Sequence, residues 1–276
     1  MRNDISQKLK DYAITNPAIE SIFCVKSYNN DGFYNIYTVV NEVIIGKLEE
    51  ELEDVFADYI FTRRVKERVG IGKNKFSYTK IDLYKSDNIK ISESIISDDI
   101  ADDFIKTLPN DIEFLYNKPG SKVLLANTDY SISPVKEYEF NKTVKNFFAN
   151  AIETSLYLKE NNSLAAAIKM EGVRYELRNM LKIHVINKYN GSRDVGDNGR
   201  ELIHTLAKEY RDDFEASFSD TNPLNIYTSL FRASMLFRKI GMSEAENLGY
   251  EYDRETDVRT LRLLRENYKR LESFLN

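Results

Sequence analysis

The sequence predicts an α+β chain, with a mixed-sheet domain over residues 1–140 followed by an antiparallel helical bundle over residues 141–276. Three observations predict it. Before residue 140, short β-branched and aromatic runs alternate with short helical ones. After it, apolar residues recur at helical spacing, as in Val144, Phe147, Phe148, Ile152 and Leu156. Asn141, Ser163, Asn222-Pro223 and Gly241 then punctuate that half into five or six helices with short connections, the layout of antiparallel neighbours.

The elements follow in order. Leu9 to Ile14 reads as a helix closed by Asn16-Pro17. Residues 20–27 and 33–41 read as strands, and Asn29-Asn30-Asp31-Gly32 between them as a turn. Residues 46–56 read as an acidic helix, 57–63 and 76–84 as strands, 97–107 as a helix and 111–117 as a short element of open type. Pro119-Gly120 is a turn, and Ser121 to Asn127 suits a strand or a packed loop. In the second half, Asn141 is placed as the cap of a helix reaching about Glu160, and Ser163 as the cap of the next, which ends at Asn190-Gly191. Asp197 or Asn198 opens a third, Gly241 closes the helix begun at Pro223, and residues 243–249 and 253–274 complete the set.

Composition excludes more than it selects. There are 276 residues with a formal charge of −5, and neither half is strongly basic, with 18 basic against 24 acidic side chains before residue 141 and 21 against 20 after it. A DNA partner is therefore not expected. The single cysteine, Cys24, rules out an internal disulfide and sits in an apolar run as a small buried hydrophobe. No run of ~18 apolar residues is present, so no membrane span is expected, and the reading is cytoplasmic.

Strand, turn, strand and a later third strand on one sheet form the frame of the nucleotidyltransferase fold. That chemistry needs a Gly-Ser turn whose N–H groups hold a triphosphate, and Asp-x-Asp on the second strand with a third Asp on a neighbour. Period two sets the paired acids on one sheet face, where they hold two divalent ions.

Several segments resemble the aminoglycoside 6-adenylyltransferase (streptomycin adenylyltransferase) family. They are Phe140 to Phe148, Glu171-Gly172-Val173-Arg174 with Leu177 and Met180 to His184, Leu230-Phe231 to Lys239, Glu246 to Tyr252, and Ser121 to Leu125. Their order and spacing carry the resemblance. It implies ATP, magnesium and AMP transfer to an aminoglycoside hydroxyl, with Lys26, Ser27, Asn35 and Asp82 at the nucleotide and Glu171 and Arg174 toward the substrate. Carried over residue by residue, the Gly-Ser turn falls on Lys26-Ser27, the first acid on Phe33 and the second on Asn35. Only the third acid survives, as Asp82. One carboxylate cannot hold two magnesium ions, so no metal site is assigned.

The expected function is a degenerate homologue, impaired in transfer, that binds a nucleotide, another small ligand such as an aminoglycoside, or a protein in the interdomain cleft. One alternative is an active transferase with a relocated metal site drawing on Asp31 or Glu171. Another is a ribonuclease of the HEPN type, using Arg178-Asn179-x4-His184 on the bundle as a homodimer. The plainer reading of Arg178 and His184 is structural. The basic stretch from Arg63 to Lys80 reads as a solvated hairpin or a phosphate patch, and the acid runs 49–54 and 98–103 as solvated helix faces.

Overall fold

The computed structural model describes residues 3–29, 32–41, 51, 55–56, 58–71, 74–106, 108, 111–121, 123, 132–193, 195, 199 and 201–275. The expected acidic helix 46–56, the turn residues Asn30 and Asp31, most of 121–127, and Asp197 and Asn198 lie largely or wholly outside these residues. Two compact units are present, Met1–Tyr130 and Ser131–Asn276. The division falls at 130/131, ahead of the first helix of the second unit, Glu137–Lys159, which contains residue 140. Among the described residues no helix is long and apolar enough to cross a membrane.

The first unit begins with helix α1 (Asn3–Thr15), strand β1 (Ile19–Val25), a 3₁₀ turn (Lys26–Tyr28) and β2 (Phe33–Val40). There follow β3 (Tyr59–Ile71), β4 (Asn74–Lys85), β5 (Lys90–Ser97), helix α2 (Asp98–Ile105) and β6 (Ile112–Asn117). The sheet order is β3-β4-β5-β2-β1-β6, with β2 and β5 parallel and the other pairs antiparallel. The segments 20–27, 33–41 and 76–84 lie in one sheet, as β1, β2 and β4. Strand β5 stands between β2 and β4, and sequence reading left 85–96 unassigned.

Both sheet faces are partly covered. On one, Ile5, Leu9 and Ala13 of α1 pack on Ile22, Ile36, Ile81, Ile91 and Ile95. On the other, Ala101, Phe104 and Ile105 of α2 pack on Phe23, Tyr37, Val39 and Ile96. The acids Asp98 and Asp99 sit in the first turn of α2, where the helix dipole favours negative charge. One core position is anomalous. Glu93 of β5 faces Ile36 and Ile81 across the sheet and is fully buried. Thr38 donates to its Oε1, and its Oε2 has no partner among the described residues.

The second unit is helical: α3 (Glu137–Lys159), α4 (Ser163–Lys188), α5 (Leu202–Thr205), α6 (Lys208–Glu215), α7 (Pro223–Leu248) and α8 (Arg254–Leu275). Phe140, Val144 and Phe147 of α3 pack against Leu177 and Leu181 of α4, Leu230 and Phe237 of α7, and Leu264 of α8. The rings of Phe147 and Phe237 stack at 3.7 Å between centroids.

The helix ends correct three expectations. Asn141 lies inside α3, whose entry is tied by the Lys136 N–H donating to Glu139 Oε2 at 3.3 Å. Asn162 rather than Ser163 caps α4, accepting from the Ala165 N–H at 3.1 Å. Gly241 does not close α7, which runs on to Leu248 and ends at Gly249, with φ of 70°.

Gly241 is there for close packing. A Cβ at that position would lie 2.8 Å from Cε2 of Tyr252, a buried ring that also packs edge-on against Phe148. Gly241→Ala therefore forces a packed ring to move. It is expected to lower stability by about 1–2 kcal/mol, overpacking outweighing the gain in helix propensity. A lowered urea midpoint measures this, and an unchanged or raised midpoint would refute it.

Candidate functional site

The register of the sheet sets Asn35 of β2 opposite Ser92 of β5, Ser92 opposite Asp82 of β4, and Asp82 opposite Arg63 of β3. These four residues form one transverse row. Directly opposite positions share a face, so all four belong to the α2 side of the sheet. Asn35 and Asp82 are two strands apart, ~10 Å by strand spacing. The next row, two residues along, is Phe33, Lys90, Tyr84 and Phe61 on the same face.

Asp82 is the centre of the site. Its side chain is 1% exposed and fully engaged. The Ser92 hydroxyl donates to Oδ1 at 2.6 Å, and the Lys90 ammonium lies 3.2 Å from the same oxygen. Arg63 grips Oδ2 through Nε at 3.2 Å and Nη2 at 2.5 Å. Burial alone would push this carboxyl up, but the Ser92 hydroxyl, Arg63 and Lys90 outweigh it and hold the group below the usual carboxylate range. Asp82 is thus a carboxylate already holding two cations.

The other residues expected at the nucleotide are placed as follows. The Asn35 N–H donates to Asn29 Oδ1 at 2.6 Å, and its side-chain Nδ2 donates to the Tyr28 carbonyl at 2.8 Å. Asn35 thereby pins the chain that leaves β1. Phe33 is 50% exposed. Ser27 lies in the 3₁₀ turn. The Lys26 ammonium lies 4.0 Å from Glu113 of β6, both side chains well exposed. The cations that the structure sets on Asp82 are Arg63 and Lys90.

The bundle residues Glu171, Arg174, Arg178 and His184 all lie on α4, and Glu171 acts electrostatically on Arg174. Glu171 is exposed on α4. Arg174 donates to the Ser217 carbonyl at 3.4 Å and lies over the Phe218 ring at 4.9 Å, and burial lowers its pKa. Arg178 lies over Tyr175, whereas His184 Nδ1 meets Glu244 Oε1 at 2.7 Å. Asn187 donates to the other oxygen of Glu244 at 2.8 Å. His184 is only 17% exposed and Glu244 1%, so this pair clamps α4 to α7. His204 is exposed on α5, and Cys24 is buried, with burial pushing its thiol up to about 11.

Sequence reasoning missed Lys90, Ser92 and the pairing of Arg63 with Asp82. Residues 89–96 alternate Ile-Lys-Ile-Ser-Glu-Ser-Ile-Ile, a strand signal interrupted at its centre by the charged Glu93.

The sequence matches the streptomycin adenylyltransferase family over residues 48–266. The chain belongs to that family. The match takes in Arg63, Asp82 and Lys90 and begins after Phe33 and Asn35. Among solved structures, the chain is similar to an aminoglycoside 6-adenyltransferase from Bacillus subtilis, with 19% identity and a TM-score of 0.50 over 97% of this chain and 99% of that one. A nucleotidyltransferase-like protein from Exiguobacterium sibiricum also matches, with 8% identity and a TM-score of 0.37 over 89% and 78%. No curated protein matches at a significant level. The mixed sheet joined to helices is the architecture that the first likeness shares.

A streptomycin adenylyltransferase family member implies magnesium, and the described residues of this row do not fit it. Magnesium is held by oxygen donors and usually by one or two carboxylates together with phosphate. Here the row offers one carboxylate, closed by two cations and a hydroxyl, beside an amide committed to the backbone and a phenyl ring. Among the described residues no group of three or more His, Cys, Asp or Glu could hold a metal ion.

Proposed function

We propose that this family member has left metal-dependent AMP transfer and serves as a binding protein for a nucleotide or a related small anionic ligand on its sheet. The observation that carries the reading is the state of Asp82. In a two-metal transferase this position must offer free carboxylate oxygens to a divalent ion. In this chain Arg63 and Lys90 occupy them. A magnesium ion would have to displace both cations, with Phe33 and Asn35 unable to add the charge that such an ion needs.

The family is that of streptomycin adenylyltransferases, so the test is transfer to streptomycin. With ATP and magnesium, adenylated streptomycin is expected at background level by mass spectrometry. Stoichiometric product within minutes would overturn the proposal. The double change Phe33→Asp with Asn35→Asp is expected to leave activity low, because Arg63 and Lys90 remain on Asp82.

A further inference from the structure

Magnesium does not fit, yet the charge it would bring has a counterpart. We infer that the face carrying Asp82 is a metal-independent nucleotide site. Arg63 and Lys90 stand in for the divalent ions, and the aromatic rings of the row that holds Lys90 take the base. This rests on the reading that the chain no longer performs metal-dependent transfer.

The charge argument is direct. Two magnesium ions on three carboxylates leave roughly one net positive charge facing a triphosphate. Arg63 and Lys90 with Asp82 alone leave one as well, delivered by fixed side chains. Arg63 is 55% exposed and gives Asp82 only two of its five N–H groups. The guanidinium fork suits phosphate oxygens, and an ammonium serves as a point charge.

The second observation is independent of charge. In the adjacent row, Phe61 stacks on Tyr84 at 5.2 Å, and Lys90 lies 5.5 Å from the Tyr84 ring centre. Phe61 is 52% exposed. Rows two residues apart are separated by ~7 Å along the strands, about the reach of one ribose between base and phosphate. Aromatic rings one row from Arg63, with Lys90 in their own row, make a stacking surface of the kind that holds unpaired bases.

Calorimetric titration of the full chain with ATP and with tripolyphosphate, each in magnesium and in EDTA, tests the inference. ATP is expected to bind in EDTA at least as tightly as in magnesium. Lys90→Ala should weaken ATP by about tenfold, the loss of one charge-assisted contact. Phe61→Ala should weaken ATP severalfold and leave tripolyphosphate unchanged. Asp82→Asn should tighten ATP, since it removes the carboxylate that competes for both cations, and a circular dichroism spectrum checks that the variant is folded. ATP binding that needs magnesium and is lost in Asp82→Asn would make Asp82 a metal ligand and overturn the inference. Absence of nucleotide binding in both buffers would also overturn it. The streptomycin assay, which reads transfer alone, decides the proposed loss of activity separately.

Discussion

At pH 8 the Glu93→Gln variant is expected to melt above the unaltered chain, with the gap closing as the pH falls toward 4.5. Burial pushes the Glu93 carboxyl up to about 8, and the Thr38 hydroxyl offsets this only in part. The folded state therefore keeps its proton where the unfolded chain, near 4.5, has released it. The sign follows from linkage: a group raised on folding contributes fully below its unfolded pKa, and that contribution drains away as pH rises to the folded value. From pH 4.5 to 7 the loss is on the order of 3 kcal/mol, at about 1.4 kcal/mol per pH unit, and it levels off above pH 8. Glutamine has no proton to lose, so the variant's profile over this range should be flatter. Identical slopes for the two proteins, followed by circular dichroism from pH 5 to 8, would show that Glu93 is not the group responsible.

Glu244→Ala is expected to destabilise the helical unit by about 3 kcal/mol. The side chain is buried and accepts from His184 and from Asn187, and bonds to a charged acceptor contribute about 1.5–3 kcal/mol each. Burial would raise this carboxyl, but the hydrogen bonds from His184 and Asn187 outweigh it and hold it low. Its contribution is accordingly present above the ordinary carboxylate range and is lost as pH falls through the lowered folded value. Chemical denaturation of Glu244→Ala, His184→Ala and the double variant measures the coupling. Additive losses would show that the two side chains do not act as a pair.

Much of the fold was legible because pattern and punctuation agreed. The apolar spacing of Val144, Phe147 and Phe148 and the Asn222-Pro223 start both describe real helices. What failed were single residues whose meaning depends on the partner. Gly241 reads as a stop, yet its missing side chain makes room for Tyr252. Strand β5 was hidden because Glu93 occupies a core position, which no period-two pattern anticipates. The candidate site was half visible. Phe33, Asn35 and Asp82 could be placed along the chain, but Arg63 and Lys90 come to Asp82 only through cross-strand register. Register is set by tertiary pairing, and local spacing does not report it.

Strand β3 carries one more consequence, for how the protein behaves in bulk. Among the described strands it is an outer one, and its 13 residues make a long rim of backbone. A rim of that length is a ready template for a second copy of the same strand. Arg63, Arg64 and Lys66 lie along it and are exposed. In an edge-to-edge pair of copies, these side chains would bring like charges together across the seam, which disfavours the pairing. That repulsion is electrostatic, and at a solvent-exposed rim it fades over a Debye length of about 8 Å at physiological salt and about 3 Å at 1 M. Self-association through this rim would therefore be more of a hazard in concentrated, high-salt solutions than in dilute, low-salt ones.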